Sequence, residues 1–496
     1  MKPAIIFGVV VSVISCACGQ SAPESSSSAG GAGGTTDGGG GTTAVGGTSN
    51  TGGTSNVGGT CDDEPIVDAG PPPDAGSGAD LAKVGPYAVG HVGYTLADPA
   101  AYTRTVIVSV FYPVDPASIT TATPPAQYPP DPWSSNVPVW TSADWETLGY
   151  DRAYEAPTAS SHGPFPLVMV SPGYKDGNWE YFYIGTRLAS HGYVVAVIDH
   201  DHEGQFVWSL PAGDPFVSMF NRPRDVSFAI TELLLKNGNV GEPLHAVIDP
   251  SKIAMSGHSF GGYTAYALAG GDDDVCDSLA TGIDASTEPQ YICIASPPDS
   301  RIRAIVSLDG SSWAMRYEEL ARISVPSLIM GETFDNFGLD NARPHAAINR
   351  DDSYRIDVTG TNHLSFSSFC DGFKLMSRIG VDKTTAIPGY SEDAWPCVGE
   401  SNFDPAKNPA YRQIVTTYIL AFLNTYLGRE DDSWMLTFGY AKQYQPQVEF
   451  FSSEACGATP PSQDQYTCHP RPCECGIGNR DPSGYFAPPV ADGGAP

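Results

Sequence analysis

The chain has 496 residues, of which 26 are Lys or Arg and 56 are Asp or Glu, and its formal net charge is −30 with His neutral. This balance excludes a typical nucleic-acid-binding protein, because binding to phosphates requires a basic surface. Apolar residues make up 41% of the sequence, which suffices for a substantial core and excludes a mostly disordered chain. The 54 Gly and 43 Pro residues indicate that part of the chain is a linker.

Residues 1–16 have the pattern of an export signal. Lys2 is followed by the apolar run Ala4–Ile14 and then by Cys16, and this run is too short to span a bilayer. Val13-Ile14-Ser15-Cys16 resembles the lipobox at which bacterial lipoproteins are cleaved and acylated. We therefore expect an exported protein, either a lipoprotein of the outer membrane or cell surface, attached only through a lipid on Cys16, or a secreted protein cleaved nearby.

Residues 17–81 are rich in Ser, Gly and Thr and contain an imperfect six-residue repeat within positions 46–60. Such a segment buries too little apolar surface to offset its conformational entropy, so we expect a disordered linker. It contains eight acidic residues and no Lys or Arg. Part of the net negative charge therefore belongs to the linker and not to the folded domain.

The chain has eleven cysteines. Those beyond the signal region are expected to form disulfides rather than metal sites, because the chain is expected to be exported. Cys276 and Cys293 flank one insertion, and Cys370 and Cys397 flank another, so we predict these two bridges. Residues 429–496 form a C-terminal extension rich in Cys and Pro. Its potential zinc ligands are Cys468, His469, Cys473 and Cys475. Their spacing fits a zinc site poorly, and we expect no metal there.

From residue 82 to about residue 428, predicted strands alternate with predicted helices. Several strands are short continuous apolar runs, which is typical of a parallel sheet buried on both faces. Val226, Ile230 and Leu233 recur at helical spacing between two of the strands. This alternation predicts an α/β catalytic domain at residues 82–428, whose ligands bind beyond the carboxyl ends of the strands. The predicted strands are Thr105–Tyr112, Pro166–Ser171, Tyr193–Asp199, Lys252–Gly257, Ile302–Leu308, Ser327–Gly331 and Tyr354–Val358.

A glycine-rich motif stands at the carboxyl end of the strand predicted at Lys252–Gly257. The motif reads Gly257-His258-Ser259-Phe260-Gly261-Gly262, and helical sequence follows it. Glycines on both sides of Ser259 allow a sharp strand-to-helix turn that a Cβ would obstruct, which places the hydroxyl above the sheet at a helix N-terminus. This is the nucleophile elbow of α/β-hydrolases, and it predicts that Ser259 is a catalytic nucleophile.

A serine nucleophile needs a base, which in hydrolases with this elbow is a histidine later in the chain, oriented by a carboxylate. His363 fits this role best because it comes just after the last apolar strand. Two aspartates end strands at suitable positions, Asp309 after Ile305–Leu308 and Asp335 after Leu328–Phe334. We expect Asp309 to be the acid, with Asp335 as the alternative.

The developing oxyanion of an acyl-transfer reaction requires backbone N–H donors. One is expected from Phe260, which follows the nucleophile at the start of its helix. The second is expected from Tyr174, because the loop Ser171-Pro172-Gly173-Tyr174 follows a predicted strand and Gly173 permits a tight turn. An ordinary Pro-Gly turn without a catalytic role is the alternative reading of this loop.

The sequence resembles the platelet-activating factor acetylhydrolase family of α/β-hydrolases. The resemblance is carried by Ile248–Ile253 leading into Gly257–Gly262 and by Leu188–Ala196. Gly85–Gly90, with Phe111–Pro113 downstream, resembles bacterial proteins described as predicted dienelactone hydrolases. The similarity extends over about residues 83–427, and it implies the α/β-hydrolase fold, with a mostly parallel central sheet and helices on both faces.

In the acetylhydrolase family the acid follows the strand after the elbow helix, a position that corresponds to Asp309. Bacterial cutinases and polyester hydrolases place it one strand later, which corresponds to Asp335. Ser171-Pro172-Gly173-Tyr174 is also more similar to cutinases, since acetylhydrolases usually carry a His-Gly pair there. The chain therefore combines features of two groups of esterases.

These features predict a serine carboxylic-ester hydrolase that acts, without a metal or organic cofactor, on short- to medium-chain acyl esters or on phospholipid acetyl esters. A cutinase-like polyester or triglyceride hydrolase is the alternative. A surface-anchored binding protein built on an inactive hydrolase fold is a third reading, from another functional class. The expected partners are small-molecule or lipid esters and no nucleic acid, and we expect a monomer.

Overall fold

A computed structural model of the chain describes fourteen stretches of sequence, to which all structural statements below refer. The predicted signal peptide, nearly all of the predicted linker, and Cys276 and Cys293 lie outside them. The described residues are 80–98, 102–128, 140–174, 176–200, 215–271, 298–312, 315, 317–332, 341–348, 350–378, 397, 407–444, 447–452 and 475–477.

Eleven of the described strands form a central sheet, and two short strands, Gln127–Tyr128 and Trp140–Thr141, pair antiparallel in a separate sheet. Each strand predicted from the sequence is confirmed, with bounds that differ by a few residues. The strands are β1 Ala88–Asp98, β2 Tyr102–Val114, β3 Ala153–Glu155, β4 Phe165–Ser171, β5 Val194–Asp199, β6 Ile248–His258, β7 Ile302–Leu308, β8 Ser327–Glu332, β9 Ser353–Val358, β10 Val448–Ser452 and β11 Cys475–Ile477.

The strand order is β11-β10-β9-β8-β7-β6-β4-β5-β2-β1-β3. From β5 through β4 and β6 to β9, every neighbouring pair is parallel. Strand β2 pairs antiparallel with β5 at one side, and β10 pairs antiparallel with β9 at the other. Strand β10 falls within the predicted extension 429–496, so part of that segment adds a strand to the side of the sheet.

Because β4, β6, β7, β8 and β9 are parallel, their carboxyl ends meet along one edge of the sheet.

Side chains of the central strands alternate between two hydrophobic cores, one on each face of the sheet. In β4, Val168 and Val170 belong to one cluster of buried residues, while Leu167 and Met169 belong to the other. All four are fully buried. Because successive strand residues point to opposite faces, a strand covered on both sides must be continuously apolar. This explains the uninterrupted apolar runs in the sequence.

Helices supply the two outer layers. Residues of the helices Phe182–Ser190 and Asn408–Tyr426 join the first core, and residues of Pro215–Gly238 and Phe260–Tyr266 join the second. None of the helices within the described stretches is both long and apolar enough to cross a membrane. The helices are α1 Ser142–Glu146, α2 Phe182–Ser190, α3 Pro215–Gly238, α4 Phe260–Tyr266, α5 Tyr317–Leu320, α6 Ala342–Ala347, α7 Phe369–Arg378, α8 Asn408–Tyr426 and α9 Phe438–Ala441. Single helical turns occur at Pro116–Ser118, Asn178–Tyr181, Ala267–Gly271, His363–Phe366, Ser433–Met435 and Lys442–Tyr444.

One predicted disulfide, Cys370–Cys397, is confirmed, with Cα atoms 5.3 Å apart. Cys370 lies near the start of α7, which follows the loop that carries His363. Both cysteines are buried. The bridge therefore closes a loop of sequence separation 27 close to one of the predicted site residues.

We predict that the double variant Cys370→Ser/Cys397→Ser is less stable than the wild type by about 3 kcal/mol, because the bridge restricts a loop of this length in the unfolded chain. Calorimetric unfolding of both proteins without reductant measures the difference. Reduced wild-type protein serves as a matched control, since its melting temperature should fall at least as far. A double variant that melts at the wild-type temperature would contradict this role of the bridge.

Candidate active site

Ser259 occupies a strained turn between β6 and α4. Its backbone angles are φ 55° and ψ −117°, a region that non-glycine residues rarely adopt and that tends to occur at functional sites. A Cβ on Gly257 would lie 2.1 Å from the carbonyl oxygen of Gly261, and a Cβ on Gly261 would lie 2.0 Å from that of Ser171. Close approach of three backbone segments therefore requires both glycines. Ser259 itself is partly exposed, as the predicted elbow requires.

His363 forms a hydrogen bond with Asp309 at the carboxyl edge of the sheet. The Nδ1 atom of His363 lies 2.5 Å from Oδ2 of Asp309, and since a carboxylate only accepts, the Nδ1–H group donates. The side-chain amide of Asn341 donates through Nδ2 to Oδ1 of Asp309 at 2.6 Å. Burial alone would raise the pKa of Asp309, but the hydrogen bond and charge of His363, together with Asn341, hold that pKa below its ordinary value.

The structure thus joins His363 to the aspartate that the acetylhydrolase resemblance implies. Asp335, the alternative acid, lies outside the described residues. Asp309 directly follows β7, and its backbone φ is 45°, so its side chain is directed by an unusual turn of the main chain. The proton on Nδ1 leaves Nε2 of a neutral His363 as the acceptor, which is the arrangement of a general base.

Ser259 belongs to the same cluster of strand ends. Its backbone N–H donates to the carbonyl of Leu308 at 3.0 Å, next to Asp309, and its carbonyl accepts from the amide of Ser311. The ring of His258 lies 4.5 Å from that of His363, centroid to centroid. Ser259 and His363 therefore follow parallel strands at the same edge of the sheet. The hydrogen bond between a catalytic serine and its histidine often forms fully only in the complex with substrate.

The two residues expected to supply oxyanion donors are neighbours. The rings of Tyr174 and Phe260 have centroids 5.6 Å apart, and Phe260 is the first residue of α4. The first amides of a helix have no intrahelical acceptor and carry partial positive charge. The start of α4 therefore presents donors beside Ser259, next to the loop that contains Tyr174.

Arg222 of α3 holds this loop from the other side. Its guanidinium donates to the carbonyl of Pro172 at 2.6 Å and to the carbonyl of Gly173 at 2.9 Å, and the residue is completely buried. In a trans peptide the C=O and the following N–H point in opposite directions. Because the Gly173 carbonyl faces Arg222, the N–H of Tyr174 is directed away from it. Sequence analysis did not identify Arg222, because the residues around it form the same pattern as those around an arginine on the surface of a helix.

A second set of hydrogen-bonded Ser, His and Asp side chains lies at the start of the 171–174 loop. Ser171, the last residue of β4, lies 2.9 Å from Nε2 of His200, and Nδ1 of that imidazole lies 2.8 Å from Oδ2 of Asp225. Arg104 forms two hydrogen bonds with the same carboxylate, at 2.9 and 3.0 Å. Ser171, His200 and Asp225 are all buried, so no substrate can reach this serine. This set instead fixes the end of β4, where the 171–174 loop begins.

The arrangement of a mostly parallel sheet, helices on both faces and a strained serine between a strand and a helix is the α/β-hydrolase fold. No known protein-family model matches the sequence. The chain is 26% identical over 172 residues to cutinase 2 of Thermobifida cellulosilytica, covering 30% of this chain and 60% of the cutinase. It is also 26% identical over 172 residues to cutinase cut1 of Thermobifida fusca, covering 30% of this chain and 49% of that protein.

The chain thus spans about half to three fifths of the length of these relatives. The chain is thus similar to cutinases over part of its length, whereas the acetylhydrolase resemblance stays a prediction. Among solved structures, a ferulic acid esterase from Streptomyces cinnamoneus superimposes with a TM-score of 0.47 and 21% identity, covering 73% of this chain and 96% of that chain.

We predict that Asp225 stabilises the fold in a pH-dependent way. Burial opposes its ionisation, but His200 and Arg104 lower its pKa from 3.8 to about 2. A carboxylate with a lowered pKa stabilises the folded state above its unfolded pKa, here by about 2 kcal/mol, and loses that contribution as the pH falls through the folded value. In urea unfolding, the free energy of unfolding of Asp225→Asn should be lower than that of the wild type by the full amount at pH 7. At pH 3 the part of this difference that depends on pH should be about half as large. A deficit that is equal at both pH values would contradict this account.

Proposed function

We propose that this chain is an exported serine carboxylic-ester hydrolase, with Ser259 as nucleophile, His363 as general base and Asp309 as the acid that orients the imidazole. The observation that carries the proposal is the hydrogen bond between His363 and Asp309 beside a serine in a strained elbow. The strained turn costs free energy, and the hydrogen bond requires exact placement of both side chains. A serine with only a structural role would need neither.

The proposed reaction is a two-step acyl transfer. His363 accepts the proton of Ser259 through Nε2 as the serine oxygen attacks the ester carbonyl, and it then gives that proton to the leaving alcohol. The amides of Phe260 and Tyr174 are proposed to bind the oxyanion, and Arg222 would keep the Tyr174 amide in its orientation. Water, activated by the same imidazole, then releases the acid and restores Ser259.

The proposed substrates are short- to medium-chain acyl esters or acetyl esters of phospholipids. The position of Asp309 supports this choice, because the acetylhydrolase resemblance places the acid there. A cutinase-like polyester or triglyceride hydrolase is a second candidate, favoured by the similarity to two cutinases. The signal-like residues 1–16 support export, with a lipid on Cys16 as the proposed anchor.

We predict that Ser259→Ala lowers kcat/KM for p-nitrophenyl esters by at least about 10⁴-fold, since the nucleophile and base act as a unit. Ser118→Ala, at an exposed serine, is the matched control and should retain wild-type activity. A series from acetyl to palmitoyl esters, together with a polyester film, would separate the two substrate classes. Unchanged hydrolysis by Ser259→Ala would instead favour a binding protein on an inactive fold.

We predict that Asp309→Asn lowers kcat about a thousandfold or more, because the NH₂ group of an amide can donate to Nδ1 and favour the wrong tautomer, and an uncharged amide stabilises the imidazolium less. Asp335→Asn is the matched control, with the same chemical change at the alternative position, and should leave kcat within about threefold of the wild type. The reverse pattern, with loss of activity only in Asp335→Asn, would assign the acid to Asp335.

A further inference from the structure

The helical turn Asn178–Tyr181 lies between the two loops that would act in catalysis. On one side, the hydroxyl of Tyr181 accepts a hydrogen bond from the amide of Gly173 at 3.1 Å. On the other side, the carbonyl of Glu180 accepts from the amide of Ser368 at 2.8 Å. Tyr181 and Glu180 are completely buried. The turn therefore contacts both the loop before Tyr174 and the segment after His363.

The Tyr181 hydroxyl is the centre of a buried chain of hydrogen bonds. It lies 2.6 Å from Oδ2 of Asp176 and 2.7 Å from Nδ1 of His258. The other ring nitrogen of His258, Nε2, lies 2.9 Å from the backbone carbonyl of His363. The chain thus runs from the amide of Gly173 through one hydroxyl and one imidazole to the main chain of the proposed base.

The number of protons in this network of hydrogen bonds follows from its donors and acceptors. A carbonyl oxygen only accepts, so Nε2 of His258 carries a proton. The two short contacts of Tyr181 then need two protons, while the hydroxyl supplies one. The other must reside on the carboxyl of Asp176 or on Nδ1 of His258, and in both cases Asp176 and His258 together have no net charge. Burial, followed by the charge of His363, lowers the pKa of His258, while the hydrogen bond and the charge of Asp176 act in the opposite direction.

Packing makes this chain rigid. A Cβ on Gly173 would lie only 2.2 Å from Oδ2 of Asp176, so the carboxyl contacts the backbone of the loop directly. The Tyr183 hydroxyl, two residues further along the chain, donates to the carbonyl of Phe366 at 2.8 Å, in the turn His363–Phe366. Neither loop can move far without breaking a buried hydrogen bond, which would leave polar groups unpaired.

We infer that Tyr181 is a positioning residue, whose hydroxyl couples the loop that presents the Tyr174 amide to the loop that presents His363. This inference rests on the proposed function, because the coupled groups are its proposed oxyanion donor and base. Tyr181 touches neither the substrate nor the reacting atoms. It acts by fixing the main chain at Gly173 directly and at His363 through His258, so that the two groups keep one mutual geometry.

The test compares Tyr181→Phe with Tyr193→Phe. Tyr193 is equally buried, and its hydroxyl forms a hydrogen bond with Asn424, so the control loses one buried hydroxyl in a different hydrogen-bond network. Misplacement of reacting groups by about 1 Å can cost about a hundredfold in rate, so a smaller displacement should cost about tenfold. We expect Tyr181→Phe to lower kcat on a p-nitrophenyl ester by about tenfold or more, with KM within about threefold of the wild type. Tyr193→Phe should keep kcat within about twofold. A kcat loss in Tyr181→Phe no larger than in the control would overturn the inference.

A second measurement does not depend on hydrolysis. In protein with ¹⁵N-labelled histidine, assigned by comparison with His258→Gln, NMR should show His258 protonated at Nε2 and slow to exchange with water. Tyr181→Phe should speed this exchange or change the tautomer, and Tyr193→Phe should do neither. If the wild type cleaves no ester, the proposed function fails, while a protected His258 signal that depends on Tyr181 still supports the coupling. A signal that is insensitive to Tyr181 contradicts it.

Discussion

The close packing of three backbone segments at the carboxyl edge of the sheet is the constraint on which the site depends. The turn at Ser259 can approach the end of β4 and fold back on itself only because Gly257 and Gly261 have no side chains. This packing brings the start of α4 against the loop after Ser171 and holds the Ser259 amide on the carbonyl of Leu308. The proposed nucleophile, the proposed oxyanion donors and Asp309 are therefore positioned by one backbone arrangement, and its strain is offset by the large apolar cores on both faces.

Polar side chains behind the site convert this packing into a fixed geometry. Arg222 binds two carbonyls of the 171–174 loop, and His200 with Asp225 holds the end of β4. The chain through Tyr181 and His258 reaches the main chain of His363. Each of these groups is buried, so an unmade hydrogen bond would cost about 1–3 kcal/mol. Such networks restrict the loops to few conformations, which is what an electrostatically preorganised site needs.

The elements that the sequence predicts well are those encoded locally. Apolar runs identify the strands because each is buried on both faces. Glycine spacing identifies the elbow because the backbone segments at Gly257 and Gly261 approach too closely for a side chain. Chain order favours His363 as the proposed base, because it follows both the nucleophile motif and the last apolar strand. The choice between Asp309 and Asp335 could not be made by local pattern, since both follow strands, and only the fold brings Asp309 to the imidazole.

The supporting groups escape sequence reasoning for a similar reason. His258 meets Tyr181 across 77 residues and His363 across 105, and no periodic pattern encodes such contacts. His258 and His200 both precede the nucleophile, so chain order argues against either as the base, yet each is part of the hydrogen-bonded surroundings of the site. What marks these two residues is visible only in the structure. Each is a histidine at the end of a buried strand, with both ring nitrogens in hydrogen bonds.

The central claim is that Ser259, His363 and the amides of Phe260 and Tyr174 converge on one reacting carbonyl. A crystal structure of the protein after reaction with an alkyl phosphonate ester tests it most directly, because the phosphonyl group imitates the tetrahedral intermediate. The account predicts phosphorus bonded to the Ser259 oxygen, with a phosphonyl oxygen about 3 Å from both amide nitrogens and His363 adjacent to the new bond. Phosphorus on another residue, or a phosphonyl oxygen remote from both amides, would contradict it.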